Sequence, residues 1–403
     1  MIEKKICIVS ALRTPFDKYG GPTQHIRSLD MAAYVLDKVV ERVNVPKDKV
    51  DYIFYGTTIH AEVARDLNVP VRQALLNAGF PSTVPSLTMD RACCASMAAF
   101  HEAVREIQVG EAEIVIAAGA ENLNRVPFLL SDARWGKRMG EITLYDANNG
   151  FKYPDYLPVS VDTDNVAKRE GITREDMDRW SYRSQMLYQE AKADGRFDQE
   201  IIPLTIPTPK GDVVLTEDVS PRPETTYEKL ATLRTVFGTE TVTAGNAPPM
   251  NAGASAILLM TEEKALEYGL EPLAYVKDVV AIGDHYENIP IVPGLAIDKM
   301  LARNNMKPED IDLIEINEAF AAMPLVSTKR VAKGDPELTQ KLRDITNVNG
   351  GAIALGHPMG ATGCRLIMTL MYELRRRGGG VGMAAICGGL AQGDGVMIEV
   401  PKK

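Results

Sequence analysis

Long apolar runs are missing from this 403-residue sequence; stretches such as Ile114 to Ala120 fall far short of the ~20 residues a spanning helix needs. An excess of positive charge is missing too. Lys and Arg number 45 against 54 Asp and Glu, a net charge of −9, so bulk electrostatics argues against nucleic acid or an anionic membrane as partner. Cysteine is sparse and odd in number: Cys7, Cys93, Cys94, Cys364 and Cys387. That count and its wide spacing exclude a disulfide framework. No Cys-x-x-Cys pair exists and the five histidines are scattered, so no metal site is expected. Neither a Walker pattern nor a strand-linked Gly-x-Gly-x-x-Gly is present. Met1 to Pro15 makes a poor signal peptide and the chain does not end in the peroxisomal tripeptide, so a cytoplasmic protein is expected.

What is present suits a globular protein of two or three domains, with 45% hydrophobic and 25% charged residues. Strands are expected at Lys5 to Ser10, Tyr52 to Gly56, Ser86 to Met89 and Glu113 to Ala118. Helices are expected at Asp30 to Val43 and Ala95 to Val109, the second from the stripe Met97, Phe100, Val104, Ile107 and its stop at Gly110. Strands alternating with helices predict a largely parallel sheet.

The last third repeats this plan. Pro46-Lys47-Asp48-Lys49-Val50-Asp51-Tyr52-Ile53 resembles Pro308-Glu309-Asp310-Ile311-Asp312-Leu313-Ile314. Asp51 precedes Cys93 by 42 residues and Asp312 precedes Ala354, just ahead of His357, by 42. A helix from Ala361 to Arg377 and a buried strand Val381 to Ile386 complete the second copy. The expected fold is α/β: two repeated halves, residues 1–120 with 244–270 and residues 271–403. A covering insertion, residues 121–243, carries a helix at Arg174 to Ala193.

Four segments carry candidate chemistry. Cys93 stands at a strand-to-helix junction, where free N–H groups and the helix dipole lower a thiol pKa; the bland alternative is two small buried thiols, Cys93 and Cys94, on a packed turn. His357 lies in a glycine-rich turn, Asn349 to Pro358, which alone reads more readily as a structural turn than as a ligand loop. Cys387-Gly388-Gly389 ends a buried strand, a common place for catalytic side chains, though such a cysteine is often only core. Asn317-Glu318-Ala319-Phe320 follows a strand and reads alone as a helix start.

Together these segments resemble the thiolase family. The resemblance runs from Arg13-Thr14-Pro15-Phe16 through Asp90-Arg91-Ala92-Cys93, Arg222-Pro223, Thr243-Ala244-Gly245-Asn246 and Asn317-Glu318-Ala319-Phe320 to Gly356-His357-Pro358-Met359-Gly360 and Cys387-Gly388-Gly389. It implies a layered αβαβα thiolase fold and an acyltransferase that cleaves a 3-ketoacyl-CoA with CoA, or runs the reverse Claisen condensation. Cys93 would be the nucleophile that holds the acyl group, His357 its base and Cys387 the second acid/base. Asn317 with His357 would serve one oxyanion, and the N–H groups of Cys93 and Gly389 the other. Arg222 would contact the CoA adenine. CoA enters as cosubstrate with no permanently bound cofactor, and a homodimer or homotetramer is implied. The rival readings are a condensing enzyme of the ketoacyl-synthase type, which lacks a second cysteine such as Cys387, and a non-catalytic CoA-binding subunit.

The sequence departs from the family at several points. Asp90 replaces an asparagine, and a structural hydrogen bond is expected of it. Leu390 and Ala391 replace glycines, and Ala247-Pro248-Pro249 replaces Ala-Ser-Gly. Pro158-Val159-Ser160 replaces the His-Met-Gly wall of acetoacetyl-specific members, so acetoacetyl-CoA is not the expected best substrate. Trp135, Tyr145, Phe151, Tyr153 and Tyr156, with Arg134, Lys137, Arg138 and Lys152 among them, either cover the loop domain with their charges in water or line a larger pocket for a longer, aromatic or carboxylated chain.

Overall fold

The computed structural model describes residues 4–60, 62, 68–131, 133–149 and 155–402. Its main sheet runs in the order Leu313–Ile316, Gly380–Gly388, Gln392–Val400, Ala274–Gly283, Ile6–Arg13, Asn251–Thr261, Ile114–Asn122, Tyr52–Gly56, Ser86–Met89. The expected largely parallel sheet is corrected here. Only the outer pairs of each half are parallel: Tyr52–Gly56 with its two neighbours, and Leu313–Ile316 with Gly380–Gly388. Alternating strands and helices do predict parallel pairs, but each half closes with a strand that arrives without a crossover helix. Gln392–Val400 returns from Gly380–Gly388 through a tight turn, and Asn251–Thr261 enters from the covering segment; both pair antiparallel on each side.

The two half-sheets meet at a narrow seam, where Cys7 pairs with Tyr275 and Ile8 with Ala274. There the sheet turns over, so that two helices, Ala95–Val109 and Met359–Arg376, lie between the halves. One core cluster joins Met97, Phe100 and Val104 of the first helix, Leu366, Leu370 and Leu374 of the second, and inward side chains of both half-sheets. Ser28–Glu41 and Pro70–Asn77 cover one outer face, Val292–Arg303 and Ala322–Val331 the other. The result is five layers, αβαβα. The predicted strand Ser86–Met89 and the helices Ala95–Val109 and Arg174–Ala193 have the bounds read from periodicity.

The duplication is visible in hydrogen bonds. Asp51 Oδ2 accepts from the N–H of Glu113 (2.8 Å) and Ile114 (2.9 Å), and Asp312 Oδ2 accepts from Val381 N–H (2.7 Å). Each aspartate pins the start of the neighbouring buried strand. Ile53 N–H donates to Pro85 O, and Ile314 N–H donates to Ile345 O in the same way.

The buried helix Met359–Arg376 carries a polar stripe at helical spacing: Thr362, Arg365, Thr369 and Glu373. Each meets a partner, since a buried polar group without one is costly. Thr362 meets His357 (2.7 Å), Arg365 meets Glu315 (3.0 Å), Thr369 meets Glu200 (2.9 Å) and Glu373 meets Asn349 (3.3 Å).

Two buried carboxylate clusters hold the covering segment down. Arg13, fully buried, donates to Glu200 (2.8 Å) and in bidentate fashion to Asp218 (2.6 and 2.9 Å), while Phe16 N–H also donates to Asp218. The Arg13–Phe16 motif is thus a fastener. Glu318 accepts from Trp180 Nε1 (2.8 Å), Ser184 Oγ (2.8 Å), Asn347 Nδ2 (3.0 Å) and Ile353 N (3.1 Å).

Candidate active site

The strand Ser86–Met89 delivers the chain to a strained turn. Asp90 Oδ1 accepts from Ala92 N–H (2.8 Å), and Ala92 takes φ +50°, a left-handed conformation costly for a residue with a Cβ. The expected structural hydrogen bond of Asp90 is present. Cys93 follows, half-buried, and Cys94 turns inward with its thiol toward Ile386 O (3.7 Å). Only the first of the two adjacent thiols reaches the site.

The expectation of a lowered Cys93 pKa is corrected. Burial pushes the thiol up to about 12, and the carboxylates of Glu121 and Asp90 act in the same direction. Glu121 is itself buried, held by the N–H groups of Thr58 (2.9 Å), Ile59 (3.2 Å) and Gly360 (3.2 Å). The helix N-terminus does not outweigh desolvation, so Cys93 rests as a neutral thiol and needs a base.

His357 presents a ring nitrogen with a free lone pair. Its N–H donates to Asn251 Oδ1 (2.9 Å), which fixes the turn. Its ring Nδ1 lies 2.7 Å from Thr362 Oγ1, and Thr362 Oγ1 lies 2.9 Å from Pro358 O. A carbonyl can only accept, so the single hydroxyl hydrogen goes to Pro358 and Thr362 accepts from Nδ1–H. Nε2 is left with a lone pair. Burial, and then the Arg365 guanidinium, push His357 down to about 3, so the ring is neutral with its free lone pair at Nε2. Asn317 Nδ2 lies 3.4 Å from Nε2, and Asn317 Oδ1 is buried with no partner among the described residues.

Cys387 ends the strand Gly380–Gly388 and is fully buried. Burial raises its pKa, and charge on Cys93 raises it further. The turn beyond it is strained. Leu390 and Ala391 hold φ +57° and +53°, the region where glycine is favoured. A Cβ on Gly388 would come within 3.0 Å of Arg91 O and Cys94 Sγ, so the two cysteine turns touch there. Gly389 opens the turn Gly389–Ala391, at the position where a short helix leaves its N–H without an internal partner.

Arg222 is exposed, and its guanidinium has no partner among the described residues. Its backbone N–H donates to Gln185 Oε1 (2.9 Å). Two residues earlier, Ser220 Oγ accepts from Asn251 Nδ2 (2.8 Å), so the Arg222 segment is tied through Asn251 to the His357 turn. Trp135, Tyr145 and Tyr156 are exposed, as are Arg134, Lys137 and Arg138. Phe151, Lys152 and Tyr153 lie outside the described residues. The described part of that basic and aromatic stretch is therefore exposed in the single chain.

Thr362, Asn251 and Glu121 were not singled out from the sequence. Thr362 alone had a signal, since it stands four residues after Pro358 on the helix that His357 precedes.

The sequence matches the family description "Thiolase, N-terminal domain" over residues 6–263 and "Thiolase, C-terminal domain" over residues 270–400. It is 38% identical to the acetyl-CoA acetyltransferase of Chromobacterium violaceum, over 98% of this chain and 100% of that one. It is 36% identical to the beta-ketoadipyl-CoA thiolase of Pseudomonas aeruginosa, over 99% of this chain and 100% of that one. The crystal structure of human mitochondrial 3-ketoacyl-CoA thiolase in complex with CoA superposes with a TM-score of 0.91 at 32% identity, over 99% of both chains.

Proposed function

This chain belongs to the thiolase family of acyltransferases, and on that premise we propose how its own residues divide the reaction. The carrying observation is His357: a neutral imidazole whose Nδ1–H is committed to Thr362, so that Nε2 can accept a proton beside Asn317. In the cleavage direction His357 takes the Cys93 proton and the thiolate attacks the 3-keto carbon. The bond between C2 and C3 breaks, the acyl group stays on Cys93, and Cys387 protonates the departing acetyl-CoA carbanion. CoA then loses its thiol proton to Cys387 and attacks the thioester; Cys93 leaves as the thiolate and takes its proton back from His357, and a shortened acyl-CoA is released. Condensation is the same path reversed.

The oxyanions need preorganised donors. Asn317 with His357 serves one, and the N–H groups of Cys93 and Gly389 the other. CoA is the cosubstrate, and the free Arg222 guanidinium suits its adenine. No helix among the described residues is long and apolar enough to cross a membrane, and a cytoplasmic location is the reading that composition supports. Neither a ketoacyl-synthase-type condensing enzyme nor a non-catalytic subunit gains support from the relatives. The proposed units are residues 1–120 with 244–270, a covering segment 121–243, and residues 271–403, with the seam at Cys7 and Tyr275 between the two halves.

The test is peptide mass spectrometry after incubation with acetyl-CoA, for the wild type and Cys387→Ser. Both should carry the acyl mass on Cys93, while the variant loses most thiolysis, because a serine hydroxyl is too weak an acid. Label on Cys94 alone, or normal turnover of Cys387→Ser, would overturn the assignment.

A further inference from the structure

Asp162 is a buried carboxyl that the mechanism does not use. It lies on the helix Val159–Arg169, is 2% exposed, and its Oδ1 has no partner among the described residues. Positions 159, 162 and 166 share one face of that helix. Val159 packs into the cluster that holds Cys387, Ile316, Ala391 and Phe320, and Val166 into the cluster that holds Ile291 and Phe320. Asp162 therefore lies on the helix face that packs into the clusters holding Cys387 and Phe320.

The loop Asp284–Asn288 faces it. Asp284 N–H donates to Ala391 O (3.0 Å), which ties this loop to the Cys387 turn. From the loop come the charges that act on Asp162: Glu287, which raises its pKa, and His285, which lowers it, while burial raises it most, to about 6. The cations of the helix itself are engaged elsewhere: Lys168 with Asp164 (3.1 Å) and Glu240 (2.8 Å), Arg169 with Asn288 Oδ1 (2.7 Å) and Glu170 (3.7 Å). No side chain among the described residues hydrogen-bonds to Asp162 Oδ1, and His285 acts on it only at a distance.

We propose that Asp162, with Glu287 opposite it, forms the polar end of the acyl pocket. It would select a chain that carries a hydrogen-bond donor, a hydroxyl or an ammonium group, over a plain alkyl chain or a carboxylate. This rests on reading Cys93 and Cys387 as the acyl-transfer centre. A buried carboxylate oxygen without a partner gains most from a ligand that brings a donor. Two carboxyls repel a third. The carboxylated substrate considered from the sequence is thus disfavoured. A site built around a polar contact also rejects an analogue that leaves its polar group unpaired.

The experiment uses the full-length protein and 3-ketoacyl-CoAs of two chain lengths, each ending in methyl, hydroxyl, ammonium or carboxylate. The hydroxyl or ammonium member should exceed its methyl counterpart in kcat/KM by roughly 10- to 100-fold at one length, with the carboxylate lowest. Asp162→Leu should bring that ratio toward one, and Glu287→Leu provides a second variant should the first fail to fold. Asp162→Asn should keep more of a hydroxyl preference than of an ammonium preference, which tells the two donors apart. A methyl member that equals or beats both donors at both lengths, a carboxylate that ranks first, or a ratio unchanged in Asp162→Leu would overturn the proposal and leave Asp162 as a water site. Acylation of Cys93 by acetyl-CoA is measured alongside. Its absence sinks the thiolase reading, whereas acylation with a flat substrate series sinks only the role of Asp162.

Discussion

Thr362 Oγ1 stands 2.7 Å from His357 Nδ1 and hands its only hydrogen to Pro358 O, so it fixes which ring nitrogen of His357 is free. Among the proposed catalytic groups, the Thr362 hydroxyl hydrogen-bonds only to His357. Thr362→Val should therefore lower kcat by roughly 10²-fold with little change in KM, because the ring loses both its tautomer and its orientation. Thr362→Ser should restore most of the rate. Steady-state kinetics on the three proteins decides it, and a Val variant with wild-type kcat would remove Thr362 from the machinery.

Glu318 lies beside Asn317 in sequence yet works as a clamp. Glu318→Ala would strand the donors of Trp180, Ser184, Asn347 and Ile353 in the interior. The expected loss is about 3–5 kcal/mol in urea unfolding. Of the two tryptophans, Trp135 is 86% exposed and Trp180 is buried, so loosening of the covering segment should appear as a red shift of the buried component.

The pH dependence of stability can be assigned to His357 by difference. Its pKa is about 3 in the fold against 6.5 for a solvated histidine in the unfolded chain. Above pH 6.5 neither state binds the proton. As pH falls below 6.5 the unfolded chain takes a proton that the folded chain refuses, so the fold loses stability, by up to about 1.4 kcal/mol per pH unit until pH 3. The stability difference between wild type and His357→Asn should shrink over that window. Asp162, Asp394 and Glu315, raised to about 6, 6 and 8, act with the opposite sign and cancel between the two proteins. A difference that stays flat from pH 6.5 to 4.5 would show that His357 is not held neutral.

The hairpin formed by Phe128–Leu129 and Tyr145–Asp146 exposes large apolar side chains: Phe128 is 65% exposed, Trp135 86% and Met139 87%. Exposed apolar surface on this scale marks an interaction site. The expected occupant is a second copy, in a dimer or tetramer. Light scattering on Phe128→Ser/Trp135→Ser/Met139→Ser should give a smaller assembly than the wild type. The same mass for both, or a monomeric wild type, would contradict this.

Local order was legible without coordinates where one physical signal dominated. The stripe on Ala95–Val109 and its stop at Gly110, the repeated Asp51 and Asp312 segments, and the ordered motifs around Cys93, Asn317, His357 and Cys387 all depend on spacing along the chain, which folding does not alter. The sequence also marked Leu390 and Ala391 as out of place, and the structure gives the reason in their positive φ. Strand direction was decided elsewhere. It depends on where Asn251–Thr261 re-enters the sheet, a contact between segments separated by the covering insertion. The charge state of Cys93 was decided in the same way. A helix N-terminus can be read from sequence, but the burial and the Glu121 carboxylate that outweigh it exist only once the two halves close around the site. The free nitrogen of His357 rests on Thr362 and Pro358, and the solitary Asp162 oxygen rests on what the Asp284–Asn288 loop does not supply. Protonation, tautomer and pocket polarity follow from neighbours in space, and neighbours in space are what tertiary packing alone decides.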